Sequence, residues 1–207
     1  MNPGSTLSAL LYDPFLHLAV KSIRRSVQDE LKNYQDKALL DLCCGTGNQM
    51  KILARNGFTN LHCVDFSPAM LEVARKGDHS INLYLYDATA TPFADDSFDG
   101  VIISFAIHEK DRTTQESLLA EAYRLLKNDG ILLIVDYIFD QDTSRLGKAG
   151  IWAIERMAGG DHYRNFSKYI NRNGLQSLIS VDQFKLIRFR RKLFSGVILA
   201  IYQKKSS

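Results

Sequence analysis

The sequence predicts a single α/β domain, an open, doubly wound and mostly parallel sheet with helices on both faces. Three observations carry this expectation. Short apolar runs alternate with helical patterns from residue 38 to residue 137. Those runs are apolar almost throughout rather than at every second position, as strands buried on both faces must be. They are also bounded by Gly, Asp and Asn, residues that favour the turns between strand and helix.

The elements follow in order. Residues 7–20 read as a helix carrying Tyr12 and Phe15, and the segment 1–35 is expected to form a helical cap. The apolar run 38–43 is the first strand, interrupted only by Asp41. The helix 48–56 stops at Gly57, suited to a left-handed C-cap. A second strand, 61–64, precedes Ser67-Pro68, which supplies an N-cap and a proline in the first helical position. Strands are expected at 83–86, 101–106 and 131–135. Between the last two, Thr113 and Glu116 have capping-box spacing ahead of a helix that runs to Asp129-Gly130, with Leu118, Leu119, Ala122, Leu125 and Leu126 on one face. Residues 138–180 read as a helical insert broken by Gly147, Gly150, Gly159, Gly160 and Gly174. Two closing strands, 184–190 and 197–203, are joined near Ser195-Gly196 and are therefore antiparallel to one another.

Composition narrows the function. The chain is 45% hydrophobic and 24% charged with a net charge of +3, the profile of an ordinary globular domain. That charge is too small to argue for a nucleic-acid partner. The basic run of Lys185, Arg188, Arg190, Arg191, Lys192, Lys204 and Lys205 reads as a solvated face of the terminal hairpin. No apolar run reaches the ~20 residues a spanning helix needs, so stable membrane insertion is not expected. Cys43, Cys44 and Cys63 form no C-x-x-C pair and read as reduced, buried thiols of a cytoplasmic protein. No metal site is expected.

The chemistry concentrates at the ends of the strands. Asp41-Leu-Cys-Cys-Gly45-Thr-Gly47-Asn joins the first strand to the first helix, where glycines let a ligand approach the backbone. The third glycine of a dinucleotide fingerprint is missing, with Met50 in its place. Asp41 would repel a pyrophosphate, but it suits S-adenosylmethionine, which brings an ammonium and a sulfonium instead. Asp65 ends the second strand, placed to accept hydrogen bonds from ribose hydroxyls. Phe66 and Met70 follow it and are expected to flank adenine. Asp87 and Ala88 end the third strand, for the exocyclic amine and the ring nitrogens. Strand ends in such sheets converge on one crevice. His108 and Glu109 follow the fourth strand and Asp136 and Tyr137 the fifth. His108 and Tyr137 are the candidate catalytic groups, His108 because its ordinary pKa suits a general base near neutrality.

Taken together, 39–48, the Val64-Asp65 strand end, 87–93, 97–101 and 124–130 resemble the ordered motifs of class I S-adenosylmethionine-dependent methyltransferases, closest to the branch containing the ubiquinone and menaquinone C-methyltransferases. The resemblance covers roughly residues 36–137. It implies a Rossmann-like seven-stranded sheet with an antiparallel C-terminal strand, and S-adenosylmethionine as cofactor. By matching position it implies contacts from Gly45 and Gly47 to the methionine end, Asp65 to ribose and Asp87 to adenine, and Phe105 joins the cofactor set at the fourth strand's end. Cys43-Cys44 departs from the family's usual small or acidic residues. The acceptor is expected to be a small, partly apolar molecule held by the 138–180 insert, with Trp152, Ile154, Met157, Phe166 and Tyr169 as an apolar lining and the run from Asp161 to Arg164 beside it. Carbon, oxygen and nitrogen remain open as the methylated atom. A cofactor-binding but inactive regulatory protein and, more remotely, a nicotinamide-dependent oxidoreductase are the competing classes.

Overall fold

The computed structural model describes residues 14–76 and 80–205. Helix α1 (Pro14–Glu30) leads into β1 (Leu39–Leu42), α2 (Asn48–Arg55), β2 (Leu61–Asp65), α3 (Pro68–Arg75) and β3 (Ile81–Leu85). The second half holds β4 (Phe98–Ser104), α4 (Arg112–Leu125), β5 (Leu126–Tyr137), α5 (Arg145–Ala158), α6 (Gly160–Asn171), β6 (Phe184–Lys192) and β7 (Val197–Lys204). The strands form one seven-stranded sheet in the order β3-β2-β1-β4-β5-β7-β6. β1 pairs in parallel with β2 and β4, whereas β7 is antiparallel to both β5 and β6. The doubly wound sheet with an antiparallel closing strand is thus as expected.

Burial explains why these segments are strands. All four residues of β1 are buried, and so are the last eight of β5, Gly130 to Tyr137. Each buried Leu, Ile or Val contributes roughly 1.5–3 kcal/mol relative to its exposed state. β6 behaves differently: of its residues only Phe184 is buried, and the rest are exposed or half-buried. It is the sheet's edge, and its basic side chains blunt that edge against pairing with other chains. Part of the basic run is paired, Arg188 and Arg190 with Glu30, Arg191 with Asp140 and Lys204 with Asp96.

Local signals worked at several ends and failed at two. Ser67 caps α3 by accepting a hydrogen bond from the Met70 amide, and Gly57 adopts φ +85° after α2. α4 is capped by Asp111 rather than by Thr113: the Asp111 carboxylate accepts from the Thr114 amide at 3.1 Å. A carboxylate at the positive helix end outcompetes a hydroxyl two residues later. α4 also ends at Leu125, not at Asp129-Gly130, because Leu126 already pairs with Phe98 as the start of β5. The 138–180 insert is a helical pair broken at Gly159 and Gly160, both at positive φ. The run from Asp161 to Arg164 lies within α6. Among the described residues no helix is long and apolar enough to cross a membrane.

The topology positions the site. From β1 the chain winds outward to β2 and β3, then returns to β4 on the other side of β1. Sheets of this kind take their ligands at that switch point, where the connections after β1 and β4 leave in opposite directions at the C-terminal strand ends.

Candidate functional site

The crevice is built on Asp41, one residue before the end of β1. It is 2% exposed, and its Oδ1 has no hydrogen-bond partner. Burial, reinforced by the charge of Asp65, pushes its carboxyl up to about 8, with Arg24 pulling the other way. A buried acceptor without a donor is costly, so a cationic donor arriving at this point would be strongly favoured.

Asp65 does more than wait for a ligand. Its Oδ2 accepts from the Gly45 amide at 2.7 Å and its Oδ1 from the Ser67 amide at 2.9 Å. The carboxylate at the end of β2 thereby clamps the loop after β1 and starts α3. Each oxygen keeps a further lone pair for a hydroxyl. Gly45 and Gly47 have φ +55° and +66°, a conformation that side chains resist. A Cβ at Gly45 would meet nothing within 4 Å, so the loop borders open space, whereas one at Gly47 would press on Ala74 at 3.1 Å. The two glycines therefore serve different needs, ligand access and helix packing.

At the end of β3, Asp87 is exposed and Ala88 buried. Asp87 Oδ1 accepts from the Thr89 amide and hydroxyl at 2.8 and 2.7 Å, which holds its carboxyl below the usual range. Phe66 is 79% exposed, an uncovered aromatic ring at the strand ends. Met70 is half-buried in α3. Phe105 sits just past β4 at φ +53°, its ring 5.6 Å from that of Tyr137. Tyr12 lies outside the described residues. The structure thus brings Asp41, Gly45, Gly47, Asp65 and Phe66 to one region, with Asp87-Ala88 and Phe105 on the adjoining strand ends. Lys110 was not legible from the sequence. It is half-buried, pairs with Glu109 at 3.1 Å and feels the charges of Asp65 and Asp87.

Beyond β4 and β5 the other candidates lie in a buried polar cluster. His108 is 3% exposed; its Nδ1 is 2.6 Å from Asp136 Oδ1, and Asp136 Oδ2 accepts from the Ile107 and His108 amides. Burial pulls the His108 pKa down, but the charge and hydrogen bond of Asp136, with help from Glu155, outweigh it and leave the ring above its ordinary value. Tyr137 packs against His108 with ring centres 4.6 Å apart and planes tilted by 56°, and its hydroxyl donates to Glu155. Glu155 from α5 and His162 from α6 complete the group at 2.6 Å from one another.

The expected apolar lining divides. Phe166 and Tyr169 are buried, Trp152 is half-buried against Phe166 with ring centres 4.9 Å apart, and Met157 is 82% exposed and turned away. A short helix cannot present residues 152, 154 and 157 to one surface, since their spacing covers more than half a turn. Asp161 and Arg164 are exposed and paired with each other, while His162 between them turns inward.

Comparison with known proteins bears on the family and the fold. The family model described as "Methyltransferase domain" matches residues 40–134. A demethylmenaquinone methyltransferase of Lactobacillus johnsonii is 30% identical over 204 residues, covering 88% of this chain and 82% of its own. One from Renibacterium salmoninarum is 35% identical over 114 residues, 55% of this chain, and the match spans only about half of that relative's length, 47%. Among solved structures, an SAM-dependent methyltransferase of Methanosarcina mazei superposes with a TM-score of 0.64 at 18% identity, covering 86% of this chain and 97% of its own. At that identity the superposition speaks for the fold alone.

Proposed function

Because the chain belongs to the class I S-adenosylmethionine-dependent methyltransferases, in the quinone methyltransferase branch, we propose that it transfers a methyl group to a small, partly apolar acceptor of quinone type. One observation supports this most: a buried carboxylate with an unsatisfied oxygen, Asp41, beside an open glycine loop clamped by a second carboxylate, Asp65. That environment suits a ligand with positive charge and no phosphate.

S-adenosylmethionine supplies a methyl group already activated on a sulfonium, so the chain's task is to bind, orient and exclude water. Gly45 and Gly47 would admit the methionine end, with Asp41 facing its ammonium. Asp65 would take the ribose hydroxyls on its remaining lone pairs, while Asp87 and Ala88 would take the adenine edge. Phe66 and Met70 would flank the ring, and Phe105 would line the methyl side. The acceptor would approach from the insert, where Phe139, Trp152, Tyr163 and Phe166 make an edge-to-face aromatic group suited to a flat apolar ring. His108 and Tyr137 close that side and are the groups proposed to meet the acceptor.

The test is incubation with methyl-labelled S-adenosylmethionine and a demethylated naphthoquinone in its reduced form. Label transferred to the ring, and lost in Tyr137→Phe or His108→Ala with cofactor affinity retained, is the expected result. Cofactor binding with no transfer to any quinone-type acceptor would refute the acceptor class.

A further inference from the structure

We propose that His108, Glu155 and His162 form a binding site for one divalent transition-metal ion of the zinc class, a site that shares His108 with the acceptor side but whose metal binding does not depend on methyl transfer. The three side chains come from the loop after β4 and from α5 and α6, and a ligand atom of each lies within 4.8 Å of the others. His108 Nε2 is 3.6 Å from Glu155 Oε2, and His162 Nε2 is 2.6 Å from the same oxygen. A tetrahedral ion with ligands at 2.0–2.1 Å sets them about 3.3 Å apart. The His108–Glu155 separation is already near that value, and the His162–Glu155 hydrogen bond would open by roughly 0.7 Å to admit the ion.

The surroundings are those of a ligand set rather than of an incidental contact. Both histidines have their Nδ1 turned to a carboxylate, His108 to Asp136 at 2.6 Å and His162 to Glu109 at 3.4 Å. This leaves both Nε2 atoms facing Glu155. Ligating histidines recurrently hold a carboxylate on the second nitrogen, which fixes the tautomer and raises basicity. The cluster is also rich in negative charge, with Asp136, Glu155 and Glu109 around two imidazoles and Lys110 offsetting only Glu109. Two imidazoles and one carboxylate leave a fourth tetrahedral position, as in catalytic rather than structural zinc sites. His108 and Glu155 are nearly sealed, but the His162 side chain is 30% exposed and gives an ion a way in.

The test uses tag-free protein stripped with a chelator and titrated with Co2+, read by the visible bands of the four-coordinate ion, with Zn2+ as competitor. One equivalent of Co2+ with such bands, displaced by Zn2+, is expected for the wild type. His162→Ala, at a half-exposed helical position, should fold and lose the bands. Asp136→Asn should keep them with affinity lowered about 10–100-fold. S-adenosylmethionine binding is measured on the same samples, and circular dichroism confirms that each variant is folded. A wild type that binds no more Co2+ or Zn2+ than His162→Ala overturns the site, and retained cofactor binding there leaves the methyltransferase reading standing. Metal bound without cofactor binding overturns the latter alone.

Discussion

Replacing Asp41 with Asn should stabilise the protein and weaken its cofactor binding, and both effects follow from the same burial. Desolvation raises the Asp41 carboxyl from an ordinary 3.8 to about 8. An unfolded chain ionises this group near 3.8 while the folded chain holds the proton, so stability declines as pH rises from 3.8 towards 8. At 1.36 kcal/mol per pH unit, the decline by pH 7 is at most about 4 kcal/mol, and relaxation around the site will reduce it. Asn carries no such penalty. The variant should therefore melt higher than the wild type, by a margin growing from pH 5 to pH 8, at roughly 2–4 °C per kcal/mol for a chain of this size. Bound S-adenosylmethionine would ionise Asp41 by placing its ammonium beside the orphaned oxygen. Binding to the wild type at pH 7 should then release a proton, seen in calorimetry as heat that depends on the buffer. The Asn variant should bind about tenfold more weakly, since a hydrogen bond to a charged group is worth about 1.5–3 kcal/mol and part of that is spent on ionisation. A variant that melts below the wild type at every pH from 5 to 8, or wild-type binding heats independent of buffer, would refute this reasoning.

Two other substitutions test the frame around the site. Glu121 accepts from the Thr91 amide and hydroxyl at 2.8 and 2.6 Å and pairs with Arg124, and these partners outweigh burial and hold its carboxyl below the ordinary 4.5. Glu121→Gln should cost about 1.5–3 kcal/mol near neutrality, and the gap from wild type should close as pH falls below 4.5 and Glu121 is protonated, as followed by urea unfolding. Gly130→Ala would place a Cβ 2.8 Å from the Lys127 carbonyl oxygen and 3.2 Å from Leu126. Because backbone must move, a loss of about 1–3 kcal/mol in the same assay is expected, with cofactor affinity unchanged.

Much of the architecture was legible in the sequence because the strands that carry it are buried on both faces. Apolar runs such as 101–106 and 131–135 announce themselves without alternation, and the acids at 65 and 87 mark where two strands stop. The edge strand β6 was legible by its turn rather than its pattern, since its side chains are mostly exposed. The end of α4 was hidden because Leu125 and Leu126 continue the apolar face of the helix while the backbone has already joined β5. Asp111 was passed over as a cap because Thr113 and Glu116 have the spacing of a capping box, and spacing alone does not show which oxygen reaches the amide.

The candidate site divides along the same line. Asp41, Gly45, Gly47 and Asp65 sit on neighbouring strand ends, where one-dimensional order converts directly into proximity. The hydrogen bond that makes Asp65 a clamp on Gly45 was not foreseeable, since carboxylate orientation depends on packing. The His108–Glu155–His162 group was invisible for a stronger reason. His108 lies far before the other two in the chain, and Glu155 meets His162, seven residues on, only because the break at Gly159 and Gly160 falls between them. The sole hint was that Asp161 and Arg164 are charged on both sides of a histidine free to face inward.

The central claim is that acidic strand ends hold a cationic nucleoside rather than a phosphate-bearing one. Calorimetric titration of S-adenosylmethionine and of NADH into the wild type and Asp65→Ala tests it most directly. Saturable binding of S-adenosylmethionine alone is expected, weakened at least about tenfold in the variant, which corresponds to about 1.4 kcal/mol. Binding of NADH in place of S-adenosylmethionine, or equal affinity in the two proteins, would contradict it.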